Sequence, residues 1–487
     1  MHETLVPTLR PPHANHIAGE WRPSASGNTY ERYNPWRPSE LVGEFPASTA
    51  QDADAAVVAA DAAFRPWSRM PAAERCGFMT RAADAVERRL EDIAQDMTLE
   101  TGKPLRESRS EVARVAQILR YVAGEAWRPT GEVFEQSSGG GSIYTLRAPI
   151  GVVALITPWN FPALIPIWKA APALSYGNTV VVKPGEQSPL TCLHLAAAFD
   201  EAGLPAGVFN VLLGDGPEAG APLVSHPLVR AVSFTGSVAA GHRIRDEATR
   251  RGKRVQLELG GHNPLIVLAD GDLERAVEAA FAGAFWSAGQ KCMSTRRIFV
   301  QDPIYDEFKQ RLLERIERAA VGDPMDPDTE VGPLVSEEQL QVALDAVKRS
   351  GEDGGILLAG GERSDEAGYL MAPTLFEGLA DDAYISCEEV FGPISSLHRF
   401  AELTEAIERA NSVVFGLSAA IFTRDTHAVR AFLEGVEAGV LRVNSPTVGA
   451  DLHVPFGGSK ASGYGPREQG RAALEFYTET VTVYENC

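Results

Sequence analysis

Cys292 sits where a thiol can act. It follows the turn Gly289-Gln290-Lys291, at the end of an apolar helical stretch over 272–288 whose inward face carries Val277, Phe281 and Phe285. A cysteine just past a helix-ending glycine lies in a loop where it can meet a substrate, and its thiolate is the nucleophilic form. Glu258 ends the apolar run 256–259, before the flexible pair Gly260-Gly261. A carboxylate at the end of a buried strand can take or give a proton. Taken singly, each has a commoner structural use: an unpaired cysteine usually packs as a small hydrophobe. Cys76, Cys192, Cys387 and Cys487 bring the cysteines to five, widely spaced and without a CxxC pair. This argues against a disulfide framework or a zinc site.

Three further fragments have the chemistry of nucleotide binding, each with a plainer reading beside it. Gly214-Asp215-Gly216-Pro217-Glu218-Ala219 fits G-x-G-x-x-(G/A) after a strand ending at Leu213, but with 45 glycines such a match arises easily. Phe234-Thr235-Gly236-Ser237 follows the strand 231–234 and opens a helix containing Gly241. A helix start of this kind offers N–H groups and a hydroxyl to a phosphate, or is an ordinary cap. Lys183-Pro184-Gly185-Glu186 ends the strand 179–182 with a cation and an anion three residues apart. At the carboxyl end of a parallel strand the pair could hold a ribose diol; otherwise it is a surface ion pair.

The elements that must position these residues are legible as periodicities. Residues 1–50 read as loops and short strands, with turns at Ser26-Gly27-Asn28 and Asn34-Pro35. From 53 to 101 the pattern is helical, with a break expected at Arg65-Pro66. Met79, Ala82, Val86, Leu90, Ile93 and Met97 share one face, and Gly102-Lys103-Pro104 ends that helix. A second helix is expected over 110–127, then a glycine-rich segment and an alternating strand through Ile143 and Leu146. From Gly151 onward, short apolar strands over 152–156, 179–182, 208–213, 231–234 and 256–259 alternate with helices such as 193–202, the mark of a parallel sheet covered on both faces. A second α/β region spans 263–444, and the tail 476–484 alternates as a final strand.

The 487 residues suffice for two or three domains, and 44% hydrophobic with 23% charged residues is ordinary for a folded chain. The formal charge of −20 argues against nucleic-acid or anionic-membrane partners. No apolar run approaches the roughly 20 residues of a membrane span, and the proline-bearing start (Pro7, Pro11, Pro12) has no signal-peptide core, so a cytoplasmic protein is expected.

In order along the chain stand Thr157-Pro158-Trp159-Asn160-Phe161-Pro162, Lys183-Pro184-Gly185-Glu186, Phe234-Thr235-Gly236-Ser237, Glu258-Leu259-Gly260-Gly261, Gly289-Gln290-Lys291-Cys292, Glu389-Val390-Phe391-Gly392-Pro393 and Pro455-Phe456-Gly457-Gly458. This series resembles the NAD(P)-dependent aldehyde dehydrogenase superfamily over nearly the whole chain. The resemblance implies an α/β fold: a Rossmann-type cofactor domain (1–127 and 148–257), an α/β catalytic domain (258–447), a β bridging arm (128–147 and 470–487), and a substrate-pocket and linking segment (448–469). It implies Cys292 as nucleophile, Glu258 as general base and Asn160 as oxyanion donor. Aldehyde would pass through a cysteine thiohemiacetal and thioester to carboxylic acid, without coenzyme A and without a metal. The implied cofactor set is Ile156, Thr157, Pro158, Trp159, Lys183, Glu186, Gly216, Phe234, Thr235, Gly236, Ser237, Leu259, Gly260, Glu389 and Phe391. Gly185 lacks the hydroxyl that some NADP-using relatives carry there, and Glu186 suits a free diol, so NAD is expected, with NADP possible. His262 stands where many relatives have lysine and is expected to be a satisfied polar residue.

The implied substrate pocket is Phe161, Leu164, Trp168, Lys291, Met293, Val448, Ala450 and Phe456. The stretch from Val443 to Gly470 resembles the branch that oxidises 2-oxoglutarate semialdehyde; succinate semialdehyde and broad-specificity enzymes are the rivals. A semialdehyde acid needs a cation for its far carboxylate, and Arg114, Arg120 and Arg296 are the candidates by position. The bridging arm implies a homodimer or homotetramer. Outside this chemistry stand a cofactor-free cysteine hydrolase and an inactive structural homologue. The first lacks a histidine motif, and the second is disfavoured by the presence of Asn160, Glu258 and Cys292 together.

Overall fold

The computed structural model describes residues 13–128, 131–137, 139–364 and 368–486. The proline-bearing start, Ser138 and Cys487 lie outside the described residues.

Four short strands lead into four helices: α1 (Ala50–Arg69), α2 (Ala72–Arg88), α3 (Leu90–Thr101) and α4 (Leu105–Glu125). The break expected at Arg65-Pro66 does not occur. Helix α1 runs through Pro66 and stops at Met70-Pro71. Pro66 falls in the last turn, where one lost backbone bond is offset by burial of Trp67, whose indole N–H donates to the Leu174 carbonyl at 3.1 Å. The predicted face of Met79, Ala82, Val86, Ile93 and Met97 is buried, but on two helices that join at Arg89. Gly102, at φ +76, caps α3 in the left-handed conformation that glycine adopts without strain. Helix α4 starts at Leu105, five residues before the expected start, because Pro104 stands just ahead of the first turn, where its missing N–H costs nothing.

After α4, the chain builds a parallel sheet from Val152–Ile156, Thr179–Lys183, Phe209–Val211, Val229–Thr235 and Arg254–Glu258. Numbered along the chain, these strands lie in the order 3-2-1-4-5, so the order reverses beside Val152–Ile156. Ligands of such sheets bind at the carboxyl ends of the strands beside that reversal. Helices α5 (Leu164–Ser175), α6 (Pro189–Glu201), α7 (Ala221–Ser225) and α8 (Val238–Arg250) connect the strands. Along Val152–Ile156, Val153 and Leu155 pack into one core and Val152, Ala154 and Ile156 into another. The two-residue repeat thus buries both faces, as continuous apolar strands require.

Helix α9 (Leu273–Phe285) belongs to a second sheet of seven strands, including Asn263–Val267, Thr295–Gln301, Ile394–Phe400 and Ser418–Phe422, all parallel except at one edge. Gly463–Tyr464 joins the edge of the first sheet, while Ser459–Lys460 pairs with Phe415–Gly416. The segment between 448 and 469 therefore ties both halves together. Thr478–Asn486, Gly141–Pro149 and Val133–Glu135 form a separate three-stranded antiparallel sheet, with Val133, Leu146 and Tyr484 exposed. Among the described residues, no helix is long and apolar enough to cross a membrane.

Candidate active site

The crevice beside the reversed strand order gathers most of the predicted nucleotide residues. Strand Val152–Ile156 runs out into Thr157, whose N–H donates to the Lys183 carbonyl at 3.0 Å. Lys183 is buried and its Nζ donates to Glu186 Oε1 at 3.0 Å and to the Pro184 carbonyl at 2.7 Å. Gly185 passes close to Trp159: a Cβ there would stand 3.0 Å from the Trp159 nitrogen. Ser237 caps α8, its Oγ accepting from the Ala240 N–H at 3.4 Å. Gly216 opens a wide turn over Gly216–Gly220 and borders open space; Gly220 of that turn approaches Lys183. Across the crevice, Phe391 from the second half meets Trp159 edge-on, ring centres 5.5 Å apart. Glu389 Oε1 accepts the Gly261 N–H at 3.0 Å, and any side chain at Gly260 would collide with the same carboxylate.

Beyond α9 the backbone turns sharply before Cys292. Ser287 (φ 56), Ala288 (φ 51) and Gly289 (φ 66) are all left-handed. For Gly289 the reason is space, since a Cβ would strike the Gly392 carbonyl. Ser294 Oγ (3.0 Å) and Arg296 Nη2 (2.7 Å) donate to the Gly289 carbonyl. Asn160 Nδ2 donates to the Gln290 carbonyl at 3.0 Å, and Asn263 Nδ2 to the Cys292 carbonyl at 2.8 Å.

Burial and two carboxylates oppose ionisation of the thiol. Burial, then Glu389 and Glu258, push Cys292 up to about 12. Glu258 is itself raised well above the usual carboxylate range, first by burial and then by Glu468. Lys169 holds Glu468 in an ion pair and donates to Ser233 Oγ at 2.8 Å. Glu389 rises to about 7 by burial, which Arg296 partly opposes.

Cys292 and Glu258 both line one cavity of about 530 Å³. Phe161, Leu164, Trp168, Lys291, Met293, Val448, Ala450 and Phe456 line it as well, and the Trp168 and Phe456 rings stand 5.1 Å apart. Asn160 does not line the cavity; its amide donates to the Gln290 carbonyl, two residues before Cys292. Of the three candidate arginines, Arg114 lines the cavity and is exposed. Arg120 pairs outside it with Asp84 and Glu87. Arg296 is buried and spent on the Gly289 and Gly392 carbonyls. His262 is buried, held neutral by burial, with Nε2 3.0 Å from the Ile385 carbonyl.

Lys103, Arg106, Glu107, Glu111, Trp286, Leu417 and Glu468 also line the cavity and were not anticipated. Glu107, Glu111 and Arg114 recur at spacings of four and three, a polar stripe on one side of α4. Starting that helix at Ser110 hides the stripe.

The sequence pattern of the Aldehyde dehydrogenase family matches residues 21–483. An alpha-ketoglutaric semialdehyde dehydrogenase from Bacillus subtilis (strain 168) is 44% identical over 96% of this chain and 97% of its own length. A 2,5-dioxopentanoate dehydrogenase from Saccharolobus solfataricus is 41% identical over 96% and 98%. The solved structure of an NAD-dependent aldehyde dehydrogenase from Sinorhizobium meliloti superposes with a TM-score of 0.96 at 38% identity, covering 99% of this chain and 96% of that one.

Proposed function

The chain belongs to the aldehyde dehydrogenase family, so it is an oxidoreductase, and we propose that it oxidises a semialdehyde acid such as 2-oxoglutarate semialdehyde to the corresponding diacid with NAD. The observation that carries this reading is that one cavity is lined by a thiol and a buried carboxylate, Cys292 and Glu258, and by the exposed Arg114.

The crevice suits a dinucleotide. Gly185 brings backbone against Trp159, and the buried hydroxyls of Thr157 and Thr235 lack protein partners among the described residues. Lys183 and Glu186 would hold the adenosine ribose, Ser237 at the start of α8 the pyrophosphate, and Glu389 with Phe391 the nicotinamide ribose and ring. Ile156, Pro158, Trp159, Phe234, Gly236, Leu259 and Gly260 would complete the walls, with Gly216 at the margin. Bound there, NAD supplies the acceptor for the hydride that leaves the substrate carbon.

The rest falls to side chains of the chain itself. As Cys292 Sγ bonds to the aldehyde carbon, its proton passes to Glu258, whose raised proton affinity suits that task. The carbonyl oxygen becomes an oxyanion, met by the Asn160 amide N–H not spent on Gln290 and by the Cys292 N–H. Loss of hydride turns the thiohemiacetal into a thioester. Glu258 releases the thiol's proton to solvent and then takes a proton from water as the water oxygen attacks the thioester carbon; the C–S bond breaks, that proton passes to the departing thiolate, and the acid leaves. A base buried beside the thiol favours water over coenzyme A as acceptor. Arg114 meets the far carboxylate. The first sheet with α1–α8 would be the cofactor domain (1–127 and 148–257), the second (258–447) the catalytic one, and the antiparallel sheet (128–147 and 470–487) an arm between subunits of a cytoplasmic homodimer or homotetramer.

The test is a panel of semialdehyde acids and uncharged aldehydes of equal length, each with NAD and with NADP, followed by NADH or NADPH absorbance. NAD with the five-carbon acid should give the highest kcat/KM. Equal rates with uncharged aldehydes would leave a broad-specificity enzyme, and preference for the four-carbon acid a succinate semialdehyde enzyme. Ester turnover without cofactor and no NADH would point to the hydrolase. Glu186→Gln should weaken NAD by about 1.5–3 kcal/mol, the usual worth of a charged hydrogen bond, and narrow the gap to NADP.

A further inference from the structure

We infer that Glu107 is a positioning residue for the nucleophile: from α4 it clamps both ends of the strained turn that presents Cys292. Two consecutive non-glycine residues in left-handed conformation, Ser287 and Ala288, persist only where the surroundings over-determine them. Glu107 supplies that constraint from 180 residues away. Its Oε1 accepts the Ser287 N–H at 3.0 Å, and its Oε2 accepts the Ser287 hydroxyl at 2.6 Å. The same Oε2 holds the Lys291 ammonium at 2.9 Å. One carboxylate therefore fixes the first residue of the turn and the residue directly before Cys292. It is equipped to stay ionised there, because Lys291, Ser287 and Lys103 together outweigh its burial and lower its proton affinity.

The second consequence concerns Lys291. The Glu107 carboxylate holds the Lys291 ammonium at 2.9 Å, so that cation is paired with an acid of α4 and not left free beside the thiol. Glu107 thus keeps a neighbouring cation off the nucleophile and leaves proton removal to Glu258. This role presupposes the proposed chemistry at Cys292, but the arrangement can be read without turnover.

Two measurements on the full-length protein test it, using Glu107→Gln, which retains an acceptor for Ser287, and Glu107→Ala. In the first, the pre-steady-state burst of NADH is followed with the best aldehyde of the unmodified enzyme. Misplacing a reacting group by about 1 Å costs up to about a hundredfold. The burst rate should fall about tenfold in Glu107→Gln and further in Glu107→Ala, with NAD affinity unchanged. In the second, iodoacetamide labelling of the Cys292 peptide is measured against pH in the protein without cofactor. Freed Lys291 should move half-maximal labelling down on the order of one pH unit. A purely structural role would lower Tm and leave both readouts as in the unmodified protein, which would overturn the inference. If the unmodified protein gives no burst, the proposed function fails, while an unmoved labelling profile in a folded Glu107→Gln protein still overturns the clamp by itself.

Discussion

At its inner end the cavity holds Cys292 beside two buried carboxylates, Glu258 and Glu468; along its wall α4 presents Arg114 to solvent. Other cations of the lining are paired with acids: Lys103 with Glu111, Lys291 with Glu107, and Arg106 within 4.0 Å of Glu330. Arg114 has no hydrogen bond or ion pair among the described residues; Arg442, of the same sign, and Asp451, of the opposite sign, stand near it. The difference is one of solvent. Where water is excluded, a single charge shifts its neighbours strongly, and reactivity is set by who holds the proton. Where water remains, a charge is screened and can select among substrates without altering the chemistry. Substitutions at the inner end should therefore be large in effect and indifferent to the substrate's far end. Those at Arg114 should be smaller and selective.

The largest effect should come from Cys292→Ala, which removes the atom that becomes bonded to substrate. NADH formation should vanish for charged and uncharged aldehydes alike, and retained turnover of either would break the comparison at its root. Glu258→Gln should lower steady-state turnover by about 10²–10⁴, the usual span for a general base. Its burst, if thiol deprotonation finds another route, should approach one NADH per site before stalling as a thioester. Because burial and Glu468 raise Glu258 well above the usual carboxylate range, its ionised fraction is still growing with pH where an ordinary carboxylate is fully ionised, so deacylation should speed up with pH. That limb should be absent from the profile of Glu258→Gln. Asn160→Ala should cost about 10²–10³ in turnover if the amide faces the oxyanion, equally for both substrate classes.

How much of this could be read from the residues differs between the same two regions. The strand Val152–Ile156 stands where its apolar run predicts, because an apolar run is a local signal; the eight pocket residues that line the cavity were implied by the family resemblance and not by periodicity. Helix α4 was legible as a helix but not to its start. A proline before the first turn looks like a terminator for the preceding helix, and it is equally the opening of the next. The lost turn carries Glu107 and Arg106, so one wall of the site went unseen. The left-handed run at Ser287 and Ala288 has no local signature either, since Ser287 is held by Glu107 from a distant helix. Choosing among Arg114, Arg120 and Arg296 was likewise beyond the sequence, because the choice depends on which acids and carbonyls the fold brings to each.

The smallest effect, and the one that sharpens the contrast most, belongs to Arg114. An exposed guanidinium meeting a carboxylate gains less than a buried one, since water and salt screen the pair. Arg114→Ala should therefore cost about tenfold in kcat/KM for the semialdehyde acid, near the lower limit for a hydrogen bond to a charged group. The loss should fall on KM, because the far carboxylate is bound equally in the ground and transition states. Arg114→Lys should recover part of it: the charge remains but the planar fork that takes both carboxylate oxygens does not. The advantage of the acid over an uncharged aldehyde should also shrink with added salt in the unmodified enzyme and be insensitive to salt in Arg114→Ala. Uncharged aldehydes should be oxidised at unchanged rates by both variants. If Arg114→Ala instead lowered kcat for every aldehyde, Arg114 would act on the inner end of the cavity, and the division between a desolvated reaction centre and a solvated selector would fail.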